Sequence, residues 1–112
     1  MAIGFDLAEY LLGKPGAKED YPFGPDTAVF RVGGKIFALC PAAARPTRVN
    51  LKCDPVRARL LRQEHSEITP GYHMNKEHWN TVDLDGELDD ELVMELIDHS
   101  YELVAPGFKG EA

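Results

Sequence analysis

Two consecutive glycines, Gly33 and Gly34, most constrain what this chain can fold into. They separate the stretches TAVFRV (27–32) and KIFALC (35–40), whose side chains alternate between two faces. Glycine tolerates the positive φ angles that a tight two-residue turn needs, so the pattern predicts an antiparallel hairpin. The fold should therefore contain a sheet in which neighbouring strands run antiparallel.

The rest of the chain supplies helices and further strands. Apolar residues at helical spacing, together with start and stop signals, predict helices near residues 2–13, over 54–66 and from Asp89 to about 104. Alternation predicts strands over 49–53 and near 80–84, and a short one near 69–74, while the Pro- and Gly-rich stretch 18–26 reads as a loop. The order α-β(3)-α-β(1–2)-α indicates a two-layer α+β fold, an antiparallel sheet covered by helices.

Length and composition indicate one domain, residues 1–112, in a globular protein that needs no cofactor to fold. The N-terminus has no basic region before an apolar run, so we expect no signal peptide and a cytoplasmic location. The longest apolar stretch, IFALCPAAA, is too short to span a membrane. In a reducing compartment Cys40 and Cys53 should stay free and packed as small apolar groups. We expect a monomer without a membrane partner.

Charge is distributed unevenly along the chain, although the formal net charge is −7. Residues 45–62 contain six Lys or Arg against one Asp, and residues 83–102 contain nine Asp or Glu without Lys or Arg. The two blocks could both be ordinary solvated faces. Alternatively, the basic block and Lys76 could converge on one side, away from the acidic helix, and attract an anionic partner there.

The stretch GYHMNKEHW (71–79) collects polar and aromatic groups without helical or strand periodicity. Its lysine and histidines can donate to phosphate, its asparagine can donate and accept, and its aromatic rings can stack on bases. Placed near Lys52, Arg59 and Arg62, this stretch would form a nucleic-acid site. The alternative is structural, with Trp79 anchoring the segment to the core and the polar groups bonding to backbone.

Enzymatic and metal chemistry are poorly supported. The two serines, Ser66 and Ser100, lie outside any nucleophile motif, and a buried Cys53 is better explained as packing than as a thiolate nucleophile. His65, His73 and His78 lie close in sequence but lack the spacing of a zinc site. We therefore expect no enzyme activity, no metal and no cofactor.

Four stretches together carry a family resemblance: GYHMNKEHWNTVDLDG (71–86), DYPFGPD (20–26), VNLKCDP (49–55) and the closing SYELV (100–104). They resemble the MmcQ/YjbR family of small bacterial proteins. The resemblance implies a two-layer fold similar to secretion chaperones and a DNA-binding, possibly regulatory role through a double-wing arrangement. It marks the 73–79 stretch as the family signature, and with the cations above it gives these DNA-binding candidates: Arg48, Lys52, Arg59, Arg62, His73, Asn75, Lys76, His78 and Trp79.

A protein-interaction module is the alternative function. A chaperone-like fold could dock a protein partner on an exposed sheet face or on the acidic helix. The residues alone leave both functions open.

Overall fold

The computed structural model describes residues 4–41, 47–71 and 75–105. Within them lie three helices, α1 (Leu7–Leu12), α2 (Pro55–Glu64) and α3 (Asp90–Val104). Six strands complete the fold: β1 (Lys18–Asp20), β2 (Thr27–Val32), β3 (Lys35–Pro41), β4 (Arg48–Lys52), β5 (Ile68–Pro70) and β6 (Trp79–Asp83). No helix in these ranges is long and apolar enough to cross a membrane.

The strands form one antiparallel sheet with the order β1-β2-β3-β4-β6-β5. Gly33 and Gly34 both adopt positive φ angles, 59° and 81°, at the turn that joins β2 to β3. The predicted hairpin and the predicted α+β class are confirmed. The predicted short strand near 69–74 corresponds to β5, while residues 72–74 lie outside the described residues.

The sequence did not predict β1, and the interpretation of residues 18–26 as a loop is wrong at its start. Lys18, Glu19 and Asp20 pair with β2, Lys18 opposite Arg31. All three residues are exposed and charged, so their sequence carries no strand signal. The strand forms because the edge of β2 offers backbone groups to pair with, and because Asp20 forms an ion pair with Arg31 at 3.5 Å.

Helix α1 begins later than the sequence predicted. The carboxylate of Asp6 accepts a hydrogen bond from the backbone N–H of Glu9 at 3.0 Å and fixes the first turn there. Residues 1–3, which the prediction included, lie outside the described residues. Helix α2 begins at Pro55 behind Asp54, as predicted, because the Asp54 carboxylate accepts from the N–H of Arg57 at 3.1 Å.

The helices bury their apolar sides against one face of the sheet. Val49 and Leu51 of β4 and Val82 of β6 lie in the same core cluster as residues of all three helices. Strand side chains alternate between faces, so the residues between these point the other way. We call that second side the open face. It carries Asn50, Lys52 and other polar side chains.

A bulge interrupts the alternation that the sequence predicted for β3. Phe30 lies opposite Ala38 and Arg31 opposite Ile36, which leaves Phe37 without a partner on β2. The buried hydroxyl of Ser100 on α3 lies at this point. It donates to the carbonyl of Phe37 at 2.5 Å and accepts from the N–H of Lys52 at 2.9 Å. The hydroxyl thus satisfies two backbone groups next to the irregularity.

Candidate functional site

The strand register brings lysines from several strands to one end of the sheet. Lys52 ends β4 and lies opposite Trp79, which begins β6. Lys35 begins β3 just after the glycine turn, and because β3 and β4 are antiparallel it lies at the same end as Lys52. Lys76 precedes β6 there. We call this end, with Lys35, Lys52, Lys76 and the neighbouring α2 residue Arg59, the basic end.

The opposite end of the sheet carries mainly carboxylates. Arg48 begins β4 and lies directly opposite Asp83, the last residue of β6. The N–H of Asp83 donates to the carbonyl of Glu67 at 2.9 Å, and Asp85 accepts from the N–H of Thr47 at 2.7 Å. We call this the acidic end. Arg48 and Lys52 are four residue steps apart on β4, about 13 Å along the strand.

Asn75 fixes the turn that leads into β6. Its side-chain oxygen accepts from the N–H groups of Glu77 at 2.8 Å and His78 at 3.3 Å. Its carbonyl accepts from the N–H of Trp79 at 3.0 Å. This is the local side-chain-to-backbone bonding that asparagine supplies in turns. Asn75 therefore shapes the connection from within.

Arg62 ties helix α2 to the same connection. Its Nε donates to the side-chain oxygen of the buried Asn80 at 2.7 Å. Its Nη2 donates to the carbonyl of Lys76 and, at 3.4 Å, to that of Trp79. The planar guanidinium has donors enough for all three acceptors. Sequence reasoning grouped Arg62 with Arg59 as a phosphate contact, but in the structure its Nε and Nη2 donate to the protein itself.

The start of β6 is closely packed against the end of β5. The N–H of Gly71 donates to the carbonyl of Trp79 at 2.9 Å, and a Cβ on Gly71 would lie 2.8 Å from the Cβ of Trp79. Only glycine fits that approach. The ammonium of Lys76 donates to the carbonyl of Gly71 at 3.2 Å, and the carbonyl of His78 accepts from the N–H of Cys53 at 2.8 Å.

Three cations of the basic end differ from Arg62. Within the described residues the side chains of Lys35, Lys52 and Arg59 have neither a hydrogen bond nor an ion pair. Arg57 of the same basic block does have a carboxylate partner, since its guanidinium lies 3.3 Å from Glu95 of α3. The expected separation of the basic block from the acidic helix is therefore incomplete.

The structure places the predicted site residues in three groups. Lys52, Arg62, Asn75, Lys76, His78 and Trp79 come together at the basic end, with Arg59 one helical turn from Arg62. Arg48 lies at the acidic end. His73 lies outside the described residues. Trp79 is half-buried on the open face and is not part of the core cluster found among the described residues.

The chain matches the model of the YjbR family over residues 12–103. It belongs to the YjbR family. The uncharacterized protein YbdF of Escherichia coli O157:H7 is 44% identical over 87 residues, which cover 78% of this chain and 71% of that protein. The uncharacterized protein YjbR of E. coli K12 is 38% identical over 97 residues, covering 87% of this chain and 82% of that protein.

Solved structures of similar proteins share the fold of this YjbR-family chain. A Deinococcus radiodurans protein, DR2400, superimposes with a TM-score of 0.84 and 43% identity over 96% of this chain and 80% of that one. A Pseudomonas syringae protein superimposes with a TM-score of 0.77 and 37% identity, covering 88% and 95% of the two chains. The resemblance that the sequence motifs carried is confirmed.

The thiols and histidines of this YjbR-family chain show no grouped reactive site in the described ranges. Burial, with a smaller contribution from the charge of Glu19, raises the pKa of the Cys40 thiol to about 12. Burial also raises the pKa of Cys53. Both thiols are free, as the sequence predicted. Residues 4–41, 47–71 and 75–105 contain no cluster of three His, Cys, Asp or Glu side chains suited to a metal ion.

Sequence reasoning missed Lys35 as a member of the basic end. It follows a glycine turn in the middle of the chain, far from the basic block, so charge counting along the sequence cannot find it. The signal is the register: β3 lies beside β4, and the start of one strand meets the end of the other. Predicting that neighbour relation from the hairpin would have placed Lys35 near Lys52.

Proposed function

We propose that this protein binds DNA through the basic end of its sheet. The observation that carries the proposal is the unpaired state of Lys35, Lys52 and Arg59 within the described residues. Cationic side chains that already contact carboxylates gain little from phosphate, whereas unpaired ones release counterions when they bind it. Three such side chains from three elements lie near one strand end.

The backbone at this end favours contact with a duplex. The β2–β3 turn and the connection into β6 both extend from the basic end, and β4 lies between the strands that carry them. Two strand spacings, about 10 Å, separate the two projections. Lys52 lies between them at the end of β4, where a phosphate strand passing across the sheet would meet it.

Trp79 supplies an apolar surface beside these charges. It is half-buried, lies on the open face and pairs in register with Lys52. A flat aromatic ring beside a lysine can contact sugars or unstacked bases while the ammonium contacts phosphate. Arg62 and Asn75 contribute indirectly, because their hydrogen bonds hold the backbone that carries Trp79 and Lys76.

The net charge of −7 should weaken DNA binding, but it does not argue against binding at the basic end. Carboxylates dominate the acidic end and helix α3. Repulsion between them and phosphate would orient the protein so that the basic end meets the nucleic acid first. We therefore expect modest affinity that depends strongly on salt.

Fluorescence anisotropy of a labelled duplex at low salt tests the proposal. Lys52→Ala should weaken binding, and Arg48→Ala should leave it unchanged. The two substitutions remove the same charge from the same face of the same strand, at opposite ends. Equal losses for both variants would show a non-specific effect of charge. No binding by the wild-type protein would contradict the proposal and favour the protein-interaction alternative.

A further inference from the structure

A recess opens on the open face at the acidic end, away from the proposed DNA surface. Its volume is about 340 Å³, within the range of pockets that hold small molecules. Strands β3, β4, β5 and β6 and the turn before β5 contribute to its walls. Its polar lining residues are Arg48, Asn50, Ser66, Glu67, Thr69, Thr81 and Asp83, and the Glu67 carboxylate accepts from the backbone N–H of Glu87 at 2.9 Å.

The floor of the recess consists of buried polar groups. Asn50 is 4% exposed and Thr81 is 7% exposed, although both lie on the face that the helices leave open. The Thr81 hydroxyl donates to the side-chain oxygen of Asn50 at 2.5 Å, and Asn50 Nδ2 donates to the carbonyl of Leu39 at 3.4 Å. An amide nitrogen carries two hydrogens, so Asn50 retains a donor for a ligand.

Opposite charges stand side by side on the rim. Arg48 lies directly opposite Asp83 in the register, yet within the described residues its guanidinium has neither a hydrogen bond nor an ion pair. One oxygen of Asp83 accepts from the N–H of Asp85 at 2.9 Å, which holds the carboxylate in place and leaves its second oxygen available. A cation and an anion thus occupy directly paired positions without an ion pair between them.

We propose that this recess binds a small zwitterion, a free amino acid or a dipeptide. Its carboxylate would pair with the Arg48 guanidinium, whose planar fork matches two oxygens. Its ammonium would contact Asp83, and a carboxylate oxygen of the amino acid, or the peptide carbonyl of a dipeptide, would accept from Asn50. An anion alone would leave Asp83 repelling it, and a cation alone would meet Arg48, so the pair selects a ligand with both charges.

NMR of the ¹⁵N-labelled full chain, titrated with each proteinogenic L-amino acid and with alanyl-alanine, tests the proposal. At least one probe should shift the backbone amides of residues 48–50 and 81–83. The N-acetylated form and the C-terminal amide of that probe each lack one charge. Both should bind at least about tenfold more weakly, the loss expected for one charge-assisted hydrogen bond.

Two variants separate this site from general charge effects. Arg48→Gln should weaken binding of the zwitterion at least about tenfold. Lys52→Gln, on the same strand and face but at the basic end, should leave it unchanged. Amide shifts with none of the probes, equal binding of the N-acetylated form, or equal affinity in Arg48→Gln would each overturn the proposal. The DNA proposal is independent, because it depends on Lys52 and not on Arg48.

Discussion

Arg62 shows how the hydrogen bonds of a basic side chain determine whether it can contact a ligand or instead stabilises the fold. A guanidinium carries five N–H donors in one plane, and Arg62 directs those of Nε and Nη2 to the side chain of Asn80 and to the carbonyls of Lys76 and Trp79. Arg59, one helical turn earlier, directs none of its donors to the described part of the protein. Two arginines of one helix therefore have different roles.

Replacing Arg62 should reduce stability far more than replacing Arg59. Arg62→Met leaves the buried Asn80 side-chain oxygen and the Lys76 carbonyl without this donor, while the Trp79 carbonyl keeps its bond from the N–H of Gly71. We expect the free energy of unfolding to fall by about 2–3 kcal/mol. Arg59→Met should change it by less than about 0.5 kcal/mol, as surface substitutions usually do. Urea denaturation measures both. Equal effects of the two substitutions would contradict the supporting role assigned to Arg62.

His99 should make the protein sensitive to acid. Its Nε2 accepts from the N–H of Asp54 at 3.1 Å, which requires the neutral ring, and burial together with the charge of Arg57 lowers the pKa of His99. Below pH 6.5 the unfolded chain binds the proton more readily than the folded one. The stability that neutral His99 contributes is therefore present above that pH and is lost as the pH falls through the lowered pKa of His99 in the folded state.

Urea denaturation between pH 7 and pH 5 measures this contribution. His99→Gln keeps a side-chain acceptor for Asp54 but cannot titrate, so its stability should decline less over this window than that of the wild type. Carboxylates that titrate at lower pH are common to both proteins, and they cancel in the difference. Parallel stability curves would show that His99 does not couple protonation to folding.

The glycine turn and the capped start of helix α2 are the features that the sequence predicted best. Gly33-Gly34 and the Asp54-Pro55 helix start each determine their geometry locally, so they could be read from a few residues. Strand β1 and the bulge at Phe37 could not, because both depend on how the chain pairs with β2, which neither the three charged residues of β1 nor the alternation in β3 signals. The same reason hid the supporting role of Arg62 and the place of Lys35.

The contact between Ser100 of α3 and the bulge in β3 can be tested by substitution. Ser100→Ala removes the hydroxyl that bonds the carbonyl of Phe37 and the N–H of Lys52, and no water can easily replace it in a buried position. We expect a loss of about 1–3 kcal/mol in urea denaturation. Ser66→Ala, at an exposed position, should have little effect. An unchanged stability of Ser100→Ala would mean that the Phe37 carbonyl and the Lys52 N–H do not need the hydroxyl as a partner.

At the scale of the whole molecule, the sheet is polarised. Its basic end carries Lys35, Lys52 and Lys76, and its acidic end carries Asp83, Asp85 and Glu67 beside a recess. A chain with a net charge of −7 can therefore present a cationic surface to a nucleic acid. The sequence indicated the basic and acidic blocks, but only the strand register shows that Lys52 and Asp83 lie at opposite ends of the sheet.

The salt dependence of duplex binding tests the central claim most directly. If Lys35, Lys52, Arg59 and Lys76 each neutralise one phosphate, the logarithm of the affinity should fall against the logarithm of the salt concentration with a slope of roughly −3 to −4. Lys52→Ala should flatten that slope by about one, and Arg48→Ala should not change it. A slope near zero, or the same slope in Lys52→Ala as in the wild type, would contradict the account.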